Sequence, residues 1–207
     1  MSIYVVIWDL GGVLVRTEDW GPRTRLAARL NLSVDQLSEL VFGPAHDLRA
    51  QLGEISYDEH WRQVADSLGL PPERMDGLRA EFFAGDRLDD HLIEYIRGLK
   101  RTYTIALLSN ALSNLRALIF EEWSIDDAFH HLTISAEIGL VKPDPAIYQY
   151  TLEQLGFEPY ETVLVDDMPD NVAAARRLGM HAIRFRQPDQ MREQLQLLLN
   201  DKALELP

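Results

Sequence analysis

Four places in this 207-residue chain put polar side chains directly after, or in the loop beyond, a run of apolar residues. Such runs are typical of strands buried on both faces of a parallel sheet, so the polar groups fall at the carboxyl ends of strands, where open α/β sheets bind ligands. The groups are Asp9 after residues 3–8, Ser109 after residues 103–108, Lys142 in the loop beyond residues 132–135, and Asp166 with Asp167 after residues 162–165.

These residue types predict phosphoryl chemistry assisted by a metal ion. Asp9 and Asp167, with a backbone carbonyl of the glycine turn at Gly11, supply the hard oxygen ligands that suit Mg²⁺. Beside Mg²⁺ a carboxylate can attack phosphorus, because the metal offsets the repulsion between two anions and orients the phosphoryl group. Lys142 and the Ser109 hydroxyl would hold the remaining phosphoryl oxygens.

Each of these residues also has a purely structural explanation. Ser109 can cap the next helix, Lys142 can be an exposed lysine, and adjacent aspartates before a proline can offset a helix dipole. It is improbable that all of these residues fall on one edge of one sheet by chance. The functional interpretation therefore requires these groups to meet in a single cleft.

The elements that must position these residues alternate between strands and helices, which predicts a doubly wound parallel α/β sheet from residues 1–15 and 90–207. Between these segments, residues 16–89 are predicted to be helical throughout, with about four short helices and no strand. Capping boxes at Ser33 with Gln36 and at Ser56 with Glu59 mark two of the helix starts. The insertion leaves and rejoins the chain beside Asp9, so we expect it to cover that residue as a cap. The tail from Asp201 is expected to be loose.

The composition narrows the function classes. A net charge of −13 argues against general nucleic-acid binding, which needs clustered lysine and arginine. The absence of cysteine excludes disulfides and thiolate metal sites, and fits a reducing cytosol. No segment reads as an export signal or reaches the ~20 apolar residues of a membrane helix. We therefore predict a soluble, cytoplasmic protein that binds neither membranes nor nucleic acids.

The four motifs together resemble those of the haloacid dehalogenase superfamily of hydrolases over the whole chain. The matching stretches are residues 9–14 (Asp-Leu-Gly-Gly-Val-Leu), Ser109-Asn110, Lys142-Pro143, and Asp166-Asp167 with Asn171. The insertion resembles the C1-type cap of that family. The resemblance implies that Asp9 is the nucleophile, that Ser109, Asn110 and Lys142 bind the transferred group, and that Asp167 is a Mg²⁺ ligand. Asp166 would be a second ligand or would orient the others.

One departure from the family pattern leaves the reaction open. Phosphatases of this family usually carry a second aspartate two residues after the nucleophile, as general acid and base, and here that residue is Gly11. The chain can be a phosphatase that uses water, a substrate group, Glu18 or Asp19 instead. It can be a 2-haloacid dehalogenase, whose halide leaving group needs no proton, or a scaffold that binds a phosphorylated ligand or a protein with little turnover.

The expected substrate is a small phosphorylated metabolite. The Asp-Leu-Gly-Gly start resembles a branch that includes sugar-phosphate phosphatases, which favours a sugar phosphate and the phosphatase alternative. Arg16 and Trp20 follow the nucleophile loop and are candidates to line its mouth, with Arg16 available for a phosphate or carboxylate of the substrate.

Overall fold

The computed structural model describes residues 2–43 and 47–200, except the side chain of Asn200, and the predicted loose tail from Asp201 lies outside this range. The described residues form seven strands: β1 (Val5–Trp8), β2 (Val15–Thr17), β3 (Asp86–Leu88), β4 (Thr104–Ser109), β5 (His131–Ile134), β6 (Thr162–Asp166) and β7 (His181–Arg184).

The α-helices divide into two groups, one in the insertion and one among the strands of the main sheet. The insertion contains α1 (Gly21–Arg29), α2 (Val34–Phe42), α3 (Asp47–Gln51), α4 (Tyr57–Ser67) and α5 (Met75–Phe83). The remainder contains α6 (Asp90–Leu99), α7 (Leu115–Ala117), α8 (Ser135–Ile138), α9 (Pro145–Leu155), α10 (Pro169–Arg177) and α11 (Pro188–Asn200).

Five strands form one parallel sheet in the order β5-β4-β1-β6-β7. The chain leaves the central strand β1 toward β4 and β5 on one side and later toward β6 and β7 on the other. The predicted doubly wound sheet is confirmed, and β1 marks the point where the strand order reverses, which is where such sheets bind ligands.

Both faces of this sheet are buried, as the continuous apolar runs predict. Val6 and Trp8 of β1 pack into one core, and Val5 and Ile7 pack into a second core on the opposite face. All four side chains are fully buried. This packing on both faces fixes the direction in which β1 delivers the residue that follows it.

The insertion has a small apolar core of its own. Trp61 and Phe82 are fully buried there, among side chains from α1, α2, α4 and α5. The capping box at Ser33 and Gln36 forms with both of its hydrogen bonds, and the Ser56 hydroxyl accepts the N–H of Glu59 at 3.1 Å. Among its described residues the insertion contains five α-helices rather than about four. The additional helix, α3, has only five residues and is too short to produce the periodic pattern that reveals the others.

The expectation that the insertion contains no strand is wrong. Strands β2 and β3 form an antiparallel ribbon where the insertion leaves and rejoins the sheet domain, with Thr17 opposite Asp86. Each strand has only three residues and includes charged ones, so there was no apolar run to recognise. The ribbon forms through tertiary contacts, such as the Thr17 hydroxyl donating to Asp86 at 2.7 Å. The boundaries at residues 16 and 89 stay a prediction.

A second contact joins the insertion to the sheet domain. The N–H of Tyr57 donates to Ser113 Oγ at 3.2 Å, and a side chain on Gly53 would overlap the carbonyl of Ala136. Because Ser113 lies in the loop after β4 and Ala136 lies in α8 after β5, the insertion contacts the segments that follow these two strands as well as the ribbon. No helix among the described residues has the length and apolar character needed to span a bilayer.

Candidate active site

The strand register delivers Asp9 to the centre of the sheet edge. Trp8 makes the last pair of β1 with both neighbouring strands, so Asp9 is the next residue and lies between Leu108 on one side and Asp166 on the other. Its Oδ1 accepts the N–H of Leu10 at 2.7 Å. Asp9 is 6% exposed, so its carboxylate is nearly buried at this edge of the sheet.

Lys142 is a buried counter-ion for the two neighbouring aspartates. Its Nζ lies 2.8 Å from Asp9 Oδ1, 2.7 Å from Asp166 Oδ2 and 2.9 Å from the carbonyl oxygen of Leu108. These three acceptors match the three N–H donors of an ammonium group. Burial lowers the pKa of Lys142, but the two carboxylates outweigh burial and raise that pKa above its ordinary value. The side chain is therefore cationic at neutral pH.

Asn110 positions Lys142 through the backbone. Its Oδ1 accepts the N–H of Lys142 at 2.7 Å, and its Nδ2 donates to the carbonyl of Lys142 at 2.8 Å. This pair of bonds ties the loop after β4 to the lysine loop. Contact between Asn110 and a substrate stays a prediction, since the amide has both of its ends on Lys142.

Asp166 is held by a series of hydrogen bonds, and the sequence motif indicated only some of the residues involved. Its two oxygens accept Asn171 Nδ2 at 3.0 and 3.1 Å, and Oδ1 also accepts the N–H of Met168 at 2.9 Å. The carbonyl of Asn171 accepts the hydroxyl of Tyr148 at 3.1 Å. Asn171 belongs to the recognised motif, whereas Tyr148 gave no signal beyond its place on an apolar helix face.

Asp167 lies against the backbone of Gly12. A side chain on Gly12 would overlap the Asp167 carboxylate, and the backbone of Gly12 has a φ of 76°, which favours glycine. The second glycine of the turn therefore makes room for the second carboxylate. Sequence reasoning assigned the two glycines to a sharp turn and missed this packing.

Asp9, Asp166 and Asp167 together form an acidic cluster that fits a divalent cation. One oxygen of each lies within 4.8 Å of the others. Burial raises the pKa of Asp9 to about 7, with Lys142 opposing and Asp166 adding to the effect. Burial and the charge of Asp166 also raise the pKa of Asp167. Three carboxylates beside one ammonium leave excess negative charge, and hard oxygen ligands are those Mg²⁺ prefers.

Gly11, which occupies the position of the family's usual second aspartate, has room for a side chain. Among the described residues, no heavy atom outside the immediate backbone lies within 4 Å of a Cβ built on Gly11. Glu18 is exposed and lies 3.4 Å from Arg16, while Asp19 Oδ1 accepts the N–H of Gly21 at 2.8 Å. Neither acid is brought to Asp9 by a contact that the structure shows.

Two further predicted site residues are Ser109 and Arg16. Ser109 ends β4 one position beyond Leu108 and is almost fully buried. Arg16 is engaged in the ribbon, where its guanidinium lies 2.7 Å from Asp89 and donates to the carbonyl of Val13 at 2.5 Å. A substrate contact by Arg16, and the Gly11 carbonyl as a metal ligand, stay predictions.

Comparisons with known proteins show which proteins this chain resembles. A family model described as haloacid dehalogenase-like hydrolase matches residues 3–179. D-ribitol-5-phosphate phosphatase of Bacteroides thetaiotaomicron is 24% identical over 94% of this chain and 98% of its own length. A sesquiterpene phosphatase of Aspergillus oryzae is 27% identical over 84% of this chain and 85% of its own length. A drimenol cyclase of Aspergillus calidoustus is 30% identical over 97% of this chain, which spans 37% of that longer protein.

A solved structure has the same fold. It is a haloacid dehalogenase family enzyme of Bacteroides thetaiotaomicron in complex with magnesium and inorganic phosphate, with a TM-score of 0.72 and 21% identity. The match covers 89% of this chain and 95% of the other.

Proposed function

Because this chain belongs to the haloacid dehalogenase-like hydrolases, we propose that it hydrolyses phosphate monoesters through an aspartyl phosphate on Asp9, with Mg²⁺ as cofactor. The proposal includes the insertion as a cap over the site and a cytoplasmic location. It is supported by relatives named as phosphatases and by a magnesium and phosphate complex of the same fold.

The observation that carries the proposal is the acidic cluster with its buried lysine. Both oxygens of Asp166 are occupied by Lys142, Asn171 and a backbone N–H, so Asp166 orients Lys142. Asp9 and Asp167 would then hold Mg²⁺, which when bound neutralises charge on the phosphoryl group and on the attacking carboxylate. A dehalogenase that works without metal would have no use for this excess of carboxylates.

The chemistry proceeds in two displacements at phosphorus. First an oxygen of Asp9 bonds to phosphorus while the bond from phosphorus to the ester oxygen breaks, and the departing alkoxide takes up a proton. Water then attacks phosphorus, the bond to Asp9 breaks, and phosphate leaves as the water gives up its proton. Gly11 offers no group for either proton transfer, so solvent or substrate supplies that function unless another residue moves in.

Lys142 serves both displacements by exchanging one acceptor. In the free enzyme all three of its donors are taken, one of them by Asp9. When Asp9 becomes an ester its oxygens lose their negative charge and become weaker acceptors. The donor that held Asp9 can then turn to a phosphoryl oxygen, and we propose that the Ser109 hydroxyl binds another.

The direct test of the proposal is phosphate release from p-nitrophenyl phosphate. We expect turnover with millimolar Mg²⁺, loss of turnover with excess chelator, and recovery when Mg²⁺ is restored, because two anions cannot approach without the cation. Chloride release from 2-chloropropionate, measured in parallel, is expected to be absent. Chloride release without phosphatase activity would assign the site to dehalogenation and contradict the proposal.

Restoring the missing acid is expected to accelerate turnover of esters with poor leaving groups. Gly11→Asp has room for its side chain, and a general acid typically contributes 10²–10⁴-fold, so we expect at least about a tenfold rise in kcat for an alkyl phosphate. Turnover of p-nitrophenyl phosphate should change little, because its leaving group needs no proton. Gly11→Asn is the matched control, equal in size without the acid. Equal rates in Gly11→Asp and wild type on the alkyl ester would mean that another group already supplies the proton.

A further inference from the structure

The insertion carries an exposed aromatic surface, formed by Trp20, Phe42 and Phe83. Their exposed fractions are 51%, 50% and 37%, which is high for large apolar side chains. The rings of Phe42 and Phe83 are 6.4 Å apart, and both pack against the buried ring of Phe82. The guanidinium of Arg23 lies 5.5 Å from the ring of Trp20 and 5.8 Å from that of Phe42, so the three exposed rings belong to one surface.

Arg23, Asp86 and Asp19, which lie beside this surface, already have hydrogen-bond partners within the protein. Arg23 is almost fully buried, donates to the carbonyl of Phe82, and contacts both oxygens of Asp86 at 2.9 and 3.0 Å. Asp86 also accepts the Thr17 hydroxyl, and Asp19 accepts the N–H of Gly21. A polyol would need hydrogen-bonding groups that are not engaged in this way. The aromatic surface instead offers ring faces and edges.

The ribbon of β2 and β3 connects the aromatic surface to the sheet edge that carries Asp9. Val15 of β2 forms a bridge with Gly11 of the nucleophile loop. Trp20 and Phe83 lie three residues beyond the ends of the ribbon at Thr17 and Asp86, a span of at most about 10 Å. Two of the three rings therefore lie a short stretch of chain from the ribbon that bridges to the loop carrying Asp9.

The third ring, that of Phe42, is followed along the chain by the second contact of the insertion with the sheet domain. That contact joins Tyr57 to Ser113, four residues past Ser109. Asp9 and Ser109 follow neighbouring strands, so the two contacts of the insertion join the loops that come after β1 and β4, at the sheet edge that carries the site. The aromatic surface lies along the chain between these two contacts.

From this placement we propose that the aromatic surface binds the organic part of the substrate, and that the substrate is a phosphate monoester of an apolar alcohol rather than of a sugar. The proposal rests on the proposed phosphatase function and names its substrate class. The occupant follows from continuity with the proposed site: with the insertion as the proposed cap over Asp9, an ester whose phosphorus lies at Asp9 extends its alcohol portion toward the insertion.

The experiment compares kcat/KM for n-alkyl phosphates from ethyl to octyl, below their micellar concentrations, with that for glucose 6-phosphate. A fully buried methylene is worth about fourfold, and on half-exposed rings about twofold, so the six added methylenes should raise kcat/KM about 60-fold from ethyl to octyl phosphate. Glucose 6-phosphate should be no better than ethyl phosphate. Trp20→Ala, Phe42→Ala and Phe83→Ala should each reduce kcat/KM for octyl phosphate about fivefold or more, and leave the ethyl ester within about twofold.

The matched control is Phe120→Ala. Phe120 is 48% exposed, like the proposed contacts, but it lines a groove with Phe129 and His131 at the amino end of β5, on the opposite edge of the sheet. We expect this variant to retain the full chain-length dependence. Each variant should remain folded in thermal unfolding, with only the small loss of stability expected from the ring contacts that are removed.

The outcomes separate the two proposals. Turnover of ethyl and p-nitrophenyl phosphates without chain-length dependence, or a preference for glucose 6-phosphate, overturns the substrate class and leaves the phosphatase function standing. No turnover of any ester overturns both. A stable dimer in sedimentation that Phe42→Ala dissociates would assign the aromatic surface to a second copy of this chain and would also overturn the inference.

Discussion

Asp9→Asn is expected to abolish turnover and the phosphoenzyme, with kcat falling at least about 10⁴-fold. The amide has nearly the shape of the carboxylate, so its oxygen can still accept the Leu10 N–H and Lys142, and the fold should persist. What disappears is the negative oxygen that attacks phosphorus and one of the proposed ligands of Mg²⁺. Acid-quenched samples examined by mass spectrometry should show a phosphorylated wild type and an unmodified variant.

The matched control for this prediction is Asp170→Asn. Asp170 lies in the first turn of α10, close in sequence to the acidic cluster, but it is exposed. The same chemical change there should leave kcat within about twofold, as surface substitutions usually do. An Asp9→Asn enzyme that retained a substantial part of the wild-type kcat after removal of any deamidated protein would refute the covalent mechanism.

Lys142→Met is expected to lower kcat about 10³-fold, comparable with the loss of an electrostatic stabiliser, and also to destabilise the fold. Methionine fills a similar volume, but Asp9 and Asp166 would lose the ammonium that pairs with both of them. Removing one partner of a buried ion pair typically costs about 3–5 kcal/mol. Urea denaturation at pH 8 without divalent ions measures that loss in the free energy of unfolding.

The destabilisation should shrink at low pH. Burial already raises the pKa of Asp9 to about 7 in the wild type, and loss of the ammonium raises it further. A carboxyl with a higher pKa in the folded than in the unfolded chain takes up a proton on folding, so stability increases as the pH falls from that pKa toward the unfolded value. We therefore expect a smaller difference between Lys142→Met and wild type at pH 5 than at pH 8.

Lys100→Met separates this effect from the loss of any lysine. Lys100 is half-buried and donates to the carbonyls of Asp127 and Phe129 rather than to carboxylates. Its replacement should cost about 1 kcal/mol, the usual value of such bonds, with kcat unchanged. An equal loss for Lys142→Met at both pH values would show that the buried carboxylates are not the source of its instability.

The sequence determined the parallel sheet and the edge at which its polar residues meet. Fully buried strands need unbroken apolar runs, and those of β1, β4 and β6 are strong enough to be recognised without a structure. Once the strands are parallel, the residues at their carboxyl ends must share one edge. For this reason Asp9, Ser109 and Asp166 could be brought together from their positions in the chain alone.

Tertiary structure decided how those residues are held and what surrounds them. The ribbon of β2 and β3, the bonds from Asn110 to the backbone of Lys142, and the packing of Asp167 on Gly12 each join segments distant in sequence. None of these contacts leaves a periodic or compositional pattern. The aromatic surface could not be predicted from the sequence either. Periodicity identifies apolar residues on a helix, whereas only packing determines which of them stay exposed.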